Sequence, residues 1–511
     1  MNNQVSPPIW IAVSFALVLA GNVFGWFGVG LHTDEAYYWV WSQRLDWGYF
    51  DHPPMIAWMA RLFTELFGNN LFAVRLPAVI AWLVSTYVVF RISADLFRSR
   101  LTGWVAALVF VSLPIFQVGF HVIGPDSPLM LFTSLAYLFV YRAVSKNGKA
   151  ADWVLAGLCV GLAMLGKYTA VLVPAAIFLS LVFTGKGRQQ LLTPWPWLAG
   201  IIALVVFSPV IAWNAQNEWA SFLFQWEHGT ATNRGFAISK IITYLLQQMS
   251  SVLPWVFVAM AIAGIRLFRK RIDASRQALI FVVTTFWFPL VFFGVTGSIS
   301  KSMHNWPVIA YLSGSILLGG WLGQWMAGQS VQQVMKKWIP VLTRYSIMVS
   351  VCLALILVNL VRFPQWANYM DRPVLPKGSA VAAVWGWDQL GDAARQLIKS
   401  EHLDAHCRIR VIADHNNAHL DYYHAAGQLA YQLGNADRVS VDPVQHFRQY
   451  NLWQEYYRTN GYQDCLVMVG PSYSENFPAS INTGQQRWQR KLVLEINVPD
   501  RTVQRYVFFG R

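Results

Sequence analysis

The sequence predicts a mainly α protein: a polytopic bundle of about eleven membrane spans, followed by a small α/β domain. Three observations support this prediction. Of the 511 residues, 55% are hydrophobic and only 13% are charged, whereas soluble domains carry about 25% charged residues. The 25 Trp, 20 Tyr and 32 Phe suit a chain with many membrane–water interfaces. Long apolar segments recur up to about residue 362 and then stop.

A helix that crosses a bilayer needs about 17 to 25 mostly apolar residues. The first candidate has neither a basic leader nor a small-residue cleavage site, so we expect a retained span rather than a signal peptide. Lys167 separates the fifth candidate from the sixth; because lysine is costly in lipid, it predicts an interface or a polar cavity. The eleven candidates lie near 9–31, 72–91, 102–121, 128–142, 153–166, 168–184, 197–213, 252–268, 277–297, 307–327 and 341–362.

The loops between these spans alternate in charge, and the positive-inside rule makes the basic set cytoplasmic. The N-terminus is then cytoplasmic and the C-terminal domain lies outside. The net charge of +14 is therefore explained by topology, which argues against nucleic acid and leaves membrane lipids and a phosphorylated substrate as partners. The basic loops carry Arg91, Arg98, Arg100, Arg142, Lys146, Lys149, Lys186, Arg188, Arg269, Lys270, Arg271, Arg276, Lys336 and Lys337.

Residues 371–511 are predicted to form the outer α/β domain, which leaves 1–370 as the transmembrane domain. Short apolar segments predict strands at 408–413, 465–470, 491–496 and 505–509, and helical patterns lie near 387–402 and 418–433. Cys407 and Cys465 fall in this domain, and the sequence leaves open whether they pair.

Acidic residues gather in the first outer loop. Asp34 and Glu35 follow the first span directly and precede an aromatic segment that we expect to be an interfacial helix. A carboxylate at this boundary can act as a general base or can orient a hydroxyl group. The alternative is structural, with Thr33 or Asp34 as the N-cap of the next helix.

The same loop contains Gly48-Tyr49-Phe50-Asp51-His52-Pro53-Pro54. Two prolines keep the backbone out of the helical region, so this turn is predicted to hold Asp51 and His52 rigidly. An ordinary turn before a helix at 55–67 is the alternative.

Together, Asp34-Glu35-Ala-Tyr-Tyr and Tyr49-Phe-Asp-His-Pro-Pro54 resemble the bacterial dolichyl-phosphate-mannose protein mannosyltransferase-like superfamily of C-type membrane glycosyltransferases. Lipid A aminoarabinose and galacturonosyl transferases are the relatives that the motifs resemble most. The resemblance implies the C-type fold and transfer of a sugar from undecaprenyl phosphate to a lipopolysaccharide acceptor, lipid A or core, at the periplasmic face of the bacterial inner membrane.

The resemblance also implies site residues. It makes Asp34, Glu35 and Asp126 the candidate catalytic residues, although Asp126 has an N-cap role as its alternative. The residues implied to bind the carrier phosphate or the substrate are Tyr49, Asp51, His52, Lys167, Glu227, His228, Arg234, Lys301 and His304. Relatives commonly show Glu-Lys where this chain has Asp51-His52, so a titratable imidazole replaces a permanent cation.

Elementary chemistry supports these roles. A departing polyprenyl phosphate needs cations in a low-dielectric pocket, and Lys167, His228, Arg234 and Lys301 all fall in outer loops. Each cation alone has the alternative of a side chain that snorkels to the interface. Attack opposite the leaving phosphate would invert the anomeric centre. The loops hold residue types that bind divalent metals, yet their spacing matches no known metal site, so the sequence predicts no definite cofactor.

Two other functions stay open. The same chemistry could serve a protein hydroxyl or an O-antigen unit, and nothing in the sequence separates these acceptors. A transporter of lipid-linked sugars is of another class; transporters place polar groups near the membrane midplane and often show repeated halves. This chain shows no internal repeat and places its acids in outer loops.

Overall fold

The computed structural model describes residues 30–119, 122–145, 148–230, 236–269, 276–300, 303–327, 386–403, 407–412, 422–441, 462–472, 479–483, 486–497 and 503–510, with seven isolated positions at 13, 15, 16, 18, 20, 449 and 453. The chain divides into two units. Unit 1 comprises Met1–Val23, His52–Ile56 and Leu76–Ala354, and unit 2 comprises Phe24–Asp51, Ala57–Arg75 and Leu355–Arg511.

Helices dominate the described residues. In chain order they are α1 (Thr33–Ser42), α2 (Met55–Phe67), α3 (Leu71–Leu96), α4 (Arg100–Ser112), α5 (Pro114–Gly119), α6 (Asp126–Ser145), α7 (Ala150–Met164), α8 (Leu172–Val182), α9 (Gly185–Leu191), α10 (Trp195–Gln216), α11 (Ala220–Thr230), α12 (Ile238–Val252), α13 (Pro254–Arg269), α14 (Arg276–Ile299), α15 (Ala310–Ala327), α16 (Trp387–Ser400) and α17 (Tyr422–Leu433).

Nine of the eleven predicted spans coincide with helices of this structure. The predicted span at 102–121 is broken before Pro114, because proline cannot donate the hydrogen bond that would continue α4. The segment 168–184 begins with a 3₁₀ turn, Tyr168–Val171, ahead of α8. The predicted spans at 341–362 and, except for scattered positions, 9–31 lie outside the described residues.

The chain is a multi-pass membrane protein. Among the described residues, four helices are long and apolar enough to cross a bilayer, namely α3, α6, α10 and α14. Two bent pairs raise this number to six if each pair is one span: residues 168–182 with α9, bent by 118°, and α12 with residues 254–267, bent by 98°. The count of eleven stays a prediction.

Small residues let the helices of unit 1 approach closely. A Cβ at Gly157 of α7 would lie 2.4 Å from the carbonyl oxygen of Ala199 on α10, and one at Gly161 would lie 2.6 Å from Val206. Gly319 of α15 is in similar contact with Ala106 of α4. In a membrane the hydrophobic effect does not drive helix association, because lipid is as apolar as the side chains. Close packing through small residues stabilises the helix pairs instead.

Unit 2 contains a six-stranded mixed sheet in the order β2-β1-β3-β6-β5-β4. The three strands β2, β1 and β3 run parallel, and β6, β5 and β4 continue antiparallel. The four predicted strands are present, but the two short strands β2 and β4 were not predicted. The bounds are β1 (Cys407–Ile412), β2 (Val439–Val441), β3 (Gln463–Ser472), β4 (Ser480–Thr483), β5 (Gln486–Asn497) and β6 (Val503–Gly510).

The sheet is buried on both faces at β6. Val507 and Phe509 pack with Trp488 on one face, and Tyr506 meets Trp387 of α16 edge to face on the other. Cys407 and Cys465 are free thiols on the neighbouring strands β1 and β3. The predicted domain boundary at 370/371 lies outside the described residues and stays a prediction.

Helix α1 is buried within unit 2, where it packs against α17. Nine of its ten residues are buried, so the expectation of an interfacial helix is wrong for this segment. Its aromatic side chains contact protein: Trp39 meets Tyr431 edge to face at 5.2 Å, and Trp41 stacks on Tyr49 at 4.5 Å. Burial of α1 fixes the acidic residues at its start.

Candidate active site

The side chain of Asp34 projects from the first turn of α1. The N-cap is His32, whose Nδ1 accepts the N–H of Asp34 at 3.2 Å; the alternative that Thr33 or Asp34 caps this helix is therefore wrong. The same Nδ1 lies 3.6 Å from Oδ2 of Asp34. Capping thus does not use the Asp34 carboxylate, which is 45% exposed.

Glu35 has a different environment from Asp34. Its side chain is fully buried, and both oxygens accept hydrogen bonds from Arg75, from Nε at 2.8 Å and from Nη2 at 2.6 Å. Oε2 also accepts the backbone N–H of His32 at 2.7 Å, which completes a capping box. Arg75 in turn donates to the carbonyl of Gly30 at 2.7 Å. Within unit 2, the pair therefore ties Arg75 to the start of α1.

Buried hydrogen bonds hold the segment before the two prolines. Tyr49 is fully buried, and its hydroxyl donates to the carbonyls of Arg44 and Trp41 at 2.8 and 3.1 Å. Burial raises the pKa of Tyr49 well above its ordinary value, so the phenol stays protonated. Asp51 is buried and accepts the hydroxyl proton of Tyr37 at 2.8 Å. His52 is half-buried and belongs to unit 1.

A histidine of the C-terminal sheet domain contacts Asp34. Nε2 of His424, on α17, lies 2.7 Å from Oδ1 of Asp34, which is hydrogen-bonding distance. The imidazole stands edge-on to the ring of Tyr37, with centroids 6.3 Å apart. We call His32, Asp34, Glu35, Arg75 and His424 the Asp34 cluster; all five belong to unit 2.

A second group, in unit 1, surrounds Asp126. Asp126 is the first residue of α6, where the helix dipole favours a negative charge. Its Oδ1 accepts a hydrogen bond from Nζ of Lys167 at 2.8 Å, and its Oδ2 accepts one from Nδ2 of Asn305 at 3.0 Å. Lys167 is buried, and the ion pair offsets the cost of a cation inside a membrane domain. These three residues form the Asp126 cluster.

Gly166 permits this pairing. The chain turns between α7 and the 3₁₀ segment, and Lys167 is the extended residue that precedes that segment. A Cβ at Gly166 would lie 2.9 Å from the backbone nitrogen of Leu129 and 3.1 Å from Pro128, both in the first turn of α6. Only glycine fits this approach without displacement, and the approach brings Lys167 within reach of Asp126.

The Asp126 cluster borders a cavity of about 470 Å³ in unit 1, a size within the usual range for ligand pockets. His304, Asn305 and the pair Ser250 and Ser251 line it with Asp126. The segment that carries His304 is held by Gln248 of α12, whose amide donates to the carbonyl of His304 at 3.2 Å and accepts the hydroxyl of Tyr311 at 2.7 Å.

The remaining predicted site residues receive less support from the geometry. Glu227 is exposed on α11, and the side chain of His228 on the same helix is outside the described part of the chain. Arg234 and Lys301 also lie outside the described residues. Within the residues that the structure describes, no group of three or more His, Cys, Asp or Glu side chains is placed to hold a metal ion.

Sequence reasoning missed Arg75, Asn305 and His424. Arg75 had a usable signal, because a lone arginine at the start of an apolar helix requires a partner. Asn305 lies 179 residues from the carboxylate it contacts, and no local pattern reveals such a contact.

Comparison with known proteins supports the predicted relationship. Residues 51–213 match the family model described as dolichyl-phosphate-mannose-protein mannosyltransferase. This segment includes Asp51, Asp126 and Lys167, whereas Asp34 precedes it. Over 287 residues the chain is 29% identical to the lipid A galacturonosyltransferase RgtD of Rhizobium johnstonii, covering 56% of this chain and 59% of that protein.

A second relative is the undecaprenyl phosphate-alpha-4-amino-4-deoxy-L-arabinose arabinosyl transferase of Serratia proteamaculans. It is 27% identical over 266 residues, which are 50% of this chain and 47% of that protein. The match thus spans about half of the length of these relatives.

The fold has a solved counterpart. The crystal structure of ArnT from Cupriavidus metallidurans bound to undecaprenyl phosphate superposes with a TM-score of 0.64, at 15% identity, over 90% of this chain and 93% of that one. The predicted fold class, a membrane helix bundle with a C-terminal sheet domain, is thereby confirmed. Residues 51–213 are thus similar to the dolichyl-phosphate-mannose-protein mannosyltransferase family.

Proposed function

We propose that this protein is a polyprenyl-phosphate-sugar-dependent glycosyltransferase of the bacterial inner membrane. It transfers a sugar from undecaprenyl phosphate to a lipopolysaccharide acceptor, lipid A or core, on the periplasmic face, and it inverts the anomeric centre. The N-terminus is cytoplasmic and the C-terminal sheet domain is periplasmic. The names of the relatives, a lipid A galacturonosyltransferase and an undecaprenyl phosphate-aminoarabinose transferase, support this assignment.

The observation that carries the proposal is the Lys167–Asp126 ion pair beside the 470 Å³ cavity of a membrane domain. Ionisable side chains inside membrane domains are rare and mark substrate sites. Lys167 provides a cation that can bind the carrier phosphate and can stabilise the charge which develops as the sugar–phosphate bond breaks. Asp126 holds that cation in place and is itself held by the Asn305 amide. His304 and the two serines offer polar groups for the sugar.

Asp34 is assigned to the acceptor. Its carboxylate is accessible, whereas Glu35 is buried against Arg75 and therefore acts as a positioning residue for the start of α1. Inversion needs one displacement, in which the acceptor oxygen attacks the anomeric carbon opposite the leaving phosphate. The proton of a hydroxyl acceptor would pass to Asp34, and the electron pair of the broken bond would leave with undecaprenyl phosphate.

Mass spectrometry of lipid A and core tests this function, with cells that carry the gene, lack it, or carry Asp34→Asn or Lys167→Met. We expect one sugar-sized mass to be present only with the wild-type protein. Asp46→Asn, in the same loop, is the matched control and should keep the modification. If lipopolysaccharide is unchanged while O-antigen or a periplasmic protein loses a sugar, the acceptor assignment is wrong. If no glycan changes, the transferase assignment is wrong.

A further inference from the structure

His424 contacts the carboxylate of Asp34. It comes from α17 of the C-terminal sheet domain, yet its Nε2 lies 2.7 Å from Oδ1 of Asp34. The histidine is the more enclosed partner, because its side chain is 17% exposed and that of Asp34 is 45% exposed. The carboxylate therefore keeps a solvent-accessible side, while the imidazole contacts it from the more enclosed side.

Helix α17 is fixed against α1 by three residues on one face. His424, Gly427 and Gln428 are spaced i, i+3 and i+4, which places them side by side on a helix. A Cβ at Gly427 would lie 3.0 Å from the backbone nitrogen of Tyr37, so the two helices are in backbone contact. The amide of Gln428 donates to the carbonyl of Leu31 at 2.7 Å. This register leaves His424 opposite Asp34.

The charges around Asp34 favour a neutral acceptor. Among the described residues of unit 2, Arg75 and Arg44 pair with the carboxylates of Glu35 and Asp437. An acceptor phosphate would bring a second negative charge toward Asp34, and two like charges about 4 Å apart repel by about 1 to 4 kcal/mol in water or near a protein surface. A hydroxyl group avoids this repulsion and needs the base that a phosphate does not.

We propose that His424 is a positioning residue that holds Asp34 as the general base for an acceptor hydroxyl group. The acceptor O–H bond breaks, its proton passes to the Asp34 carboxylate, and its oxygen forms a bond to the anomeric carbon. The bond between that carbon and the phosphate oxygen breaks, its electron pair leaves with undecaprenyl phosphate, and the proton later passes to water. This inference rests on the proposed glycosyltransferase function.

The test uses the purified full-length protein with two donors, undecaprenyl phosphate linked to galacturonic acid or to 4-amino-4-deoxy-L-arabinose. The acceptors are bisphosphorylated lipid A and lipid A that lacks its 4′ phosphate. Release of undecaprenyl phosphate gives the rate, and mild acid distinguishes a stable glycoside from a labile glycosyl phosphate. The variants are His424→Ala, His424→Gln and His424→Asn, with His402→Gln, an exposed histidine of the same unit, as control.

We expect His424→Ala to lower kcat about tenfold to a hundredfold, less than loss of the base itself, with an unchanged KM for the donor. The longer amide of His424→Gln can replace the Nε2–H donor and should recover most of the rate. The side chain of His424→Asn is too short, so this variant should resemble His424→Ala. The control His402→Gln should resemble the wild type. The product should be a glycoside.

Three results would overturn the inference. They are a wild-type kcat in His424→Ala, equal rates in His424→Gln and His424→Asn, or a glycosyl phosphate product. If His424→Ala does not fold, the comparison of the Gln and Asn variants still decides. A wild-type protein that releases no undecaprenyl phosphate from either donor would overturn the proposed function and this inference with it; an active wild type with an insensitive His424 overturns the inference alone.

Discussion

Both carboxylate oxygens of Glu35 accept hydrogen bonds from the guanidinium of Arg75, although the two residues lie 40 positions apart and their side chains are almost fully buried. Such bidentate pairs are strong and geometrically specific. Since Glu35 also accepts the N–H of His32, the pair sets the backbone from which Asp34 projects. Because both side chains are buried, loss of either partner would leave an uncompensated charge inside the protein.

Removal of one partner from this pair should destabilise the protein strongly. Arg75→Met leaves the Glu35 carboxylate buried without its cation, and such changes cost about 3 to 5 kcal/mol. The double variant Glu35→Leu/Arg75→Met removes both charges and should recover much of this loss. The control is Arg61→Met, which breaks the exposed Arg61–Glu65 pair and should cost about 0 to 1 kcal/mol. Denaturant unfolding in detergent measures the free energies; similar losses at Arg75 and Arg61 would contradict the prediction.

Gly166 should be intolerant of a methyl group. In Gly166→Ala the new Cβ meets backbone atoms of α6 and α7 at 2.9 to 3.1 Å. The turn must therefore move away from α6, which increases the distance between Lys167 and Asp126. Overpacking of this kind costs about 1 to 3 kcal/mol.

The matched control for this turn is Gly200→Ala on α10, where no atom lies within 4 Å of the added Cβ. It should leave stability unchanged or raise it slightly, because alanine favours helices. Thermal unfolding of both variants and sugar transfer in cells are the measurements. Wild-type transfer by Gly166→Ala would show that the close approach is not required.

Local sequence patterns account for the helices and most of the strands, and physical cost accounts for part of the candidate site. Lys167 between two apolar segments predicts a polar environment, because an unpaired cation is unfavourable in lipid. The partners of the acidic residues could not be predicted from local patterns. The contact of Gln428 with Leu31 joins positions 397 residues apart, and only the tertiary packing of α17 on α1 brings His424 to Asp34.

The burial of α1 could also not be predicted from the sequence pattern. The segment of α1, with its charged start and aromatic residues, has the composition of an interfacial helix, yet it is enclosed by unit 2 because α17 covers it. Likewise, Asp34 and Glu35 are adjacent acidic residues that the sequence alone does not distinguish. The helical turn directs one to an accessible position and the other onto Arg75, so their roles separate only in three dimensions.

Tyr49 should stabilise the segment between α1 and α2 through its hydroxyl. In Tyr49→Phe the carbonyls of Arg44 and Trp41 and the N–H of Asp46 lose their common partner, and unsatisfied buried groups cost about 1 to 3 kcal/mol. Tyr87→Phe, at a tyrosine that is 57% exposed, is the control and should have no effect. If Tyr49→Phe lowers the free energy of unfolding no more than Tyr87→Phe does, this role is contradicted.

The difference between wild type and Tyr49→Phe should also depend on pH. Burial raises the pKa of Tyr49 well above 10.0, so ionisation above that pH favours the unfolded state, in which the phenol titrates normally. The advantage of the wild type is therefore complete below pH 10 and shrinks as the pH rises further. Unfolding curves at pH 8 and pH 10.5 measure this change; a constant difference would mean that the phenol is not buried as described.

Lys167 should determine affinity for the carrier phosphate. Lys167→Met removes the cation and keeps a long apolar side chain, so undecaprenyl phosphate should bind at least about tenfold more weakly, which corresponds to about 1.4 kcal/mol. Lys167→Arg keeps the charge but cannot reproduce the compact contact with Asp126, so an intermediate affinity is expected. Lys149→Met removes an exposed lysine at the start of α7 and is the control. Titration with undecaprenyl phosphate, followed by tryptophan fluorescence, gives the dissociation constants of the wild type and the three variants. Equal weakening by Lys167→Met and Lys149→Met would indicate that the lysines act only through general surface charge, and Lys167 would then be a structural partner of Asp126.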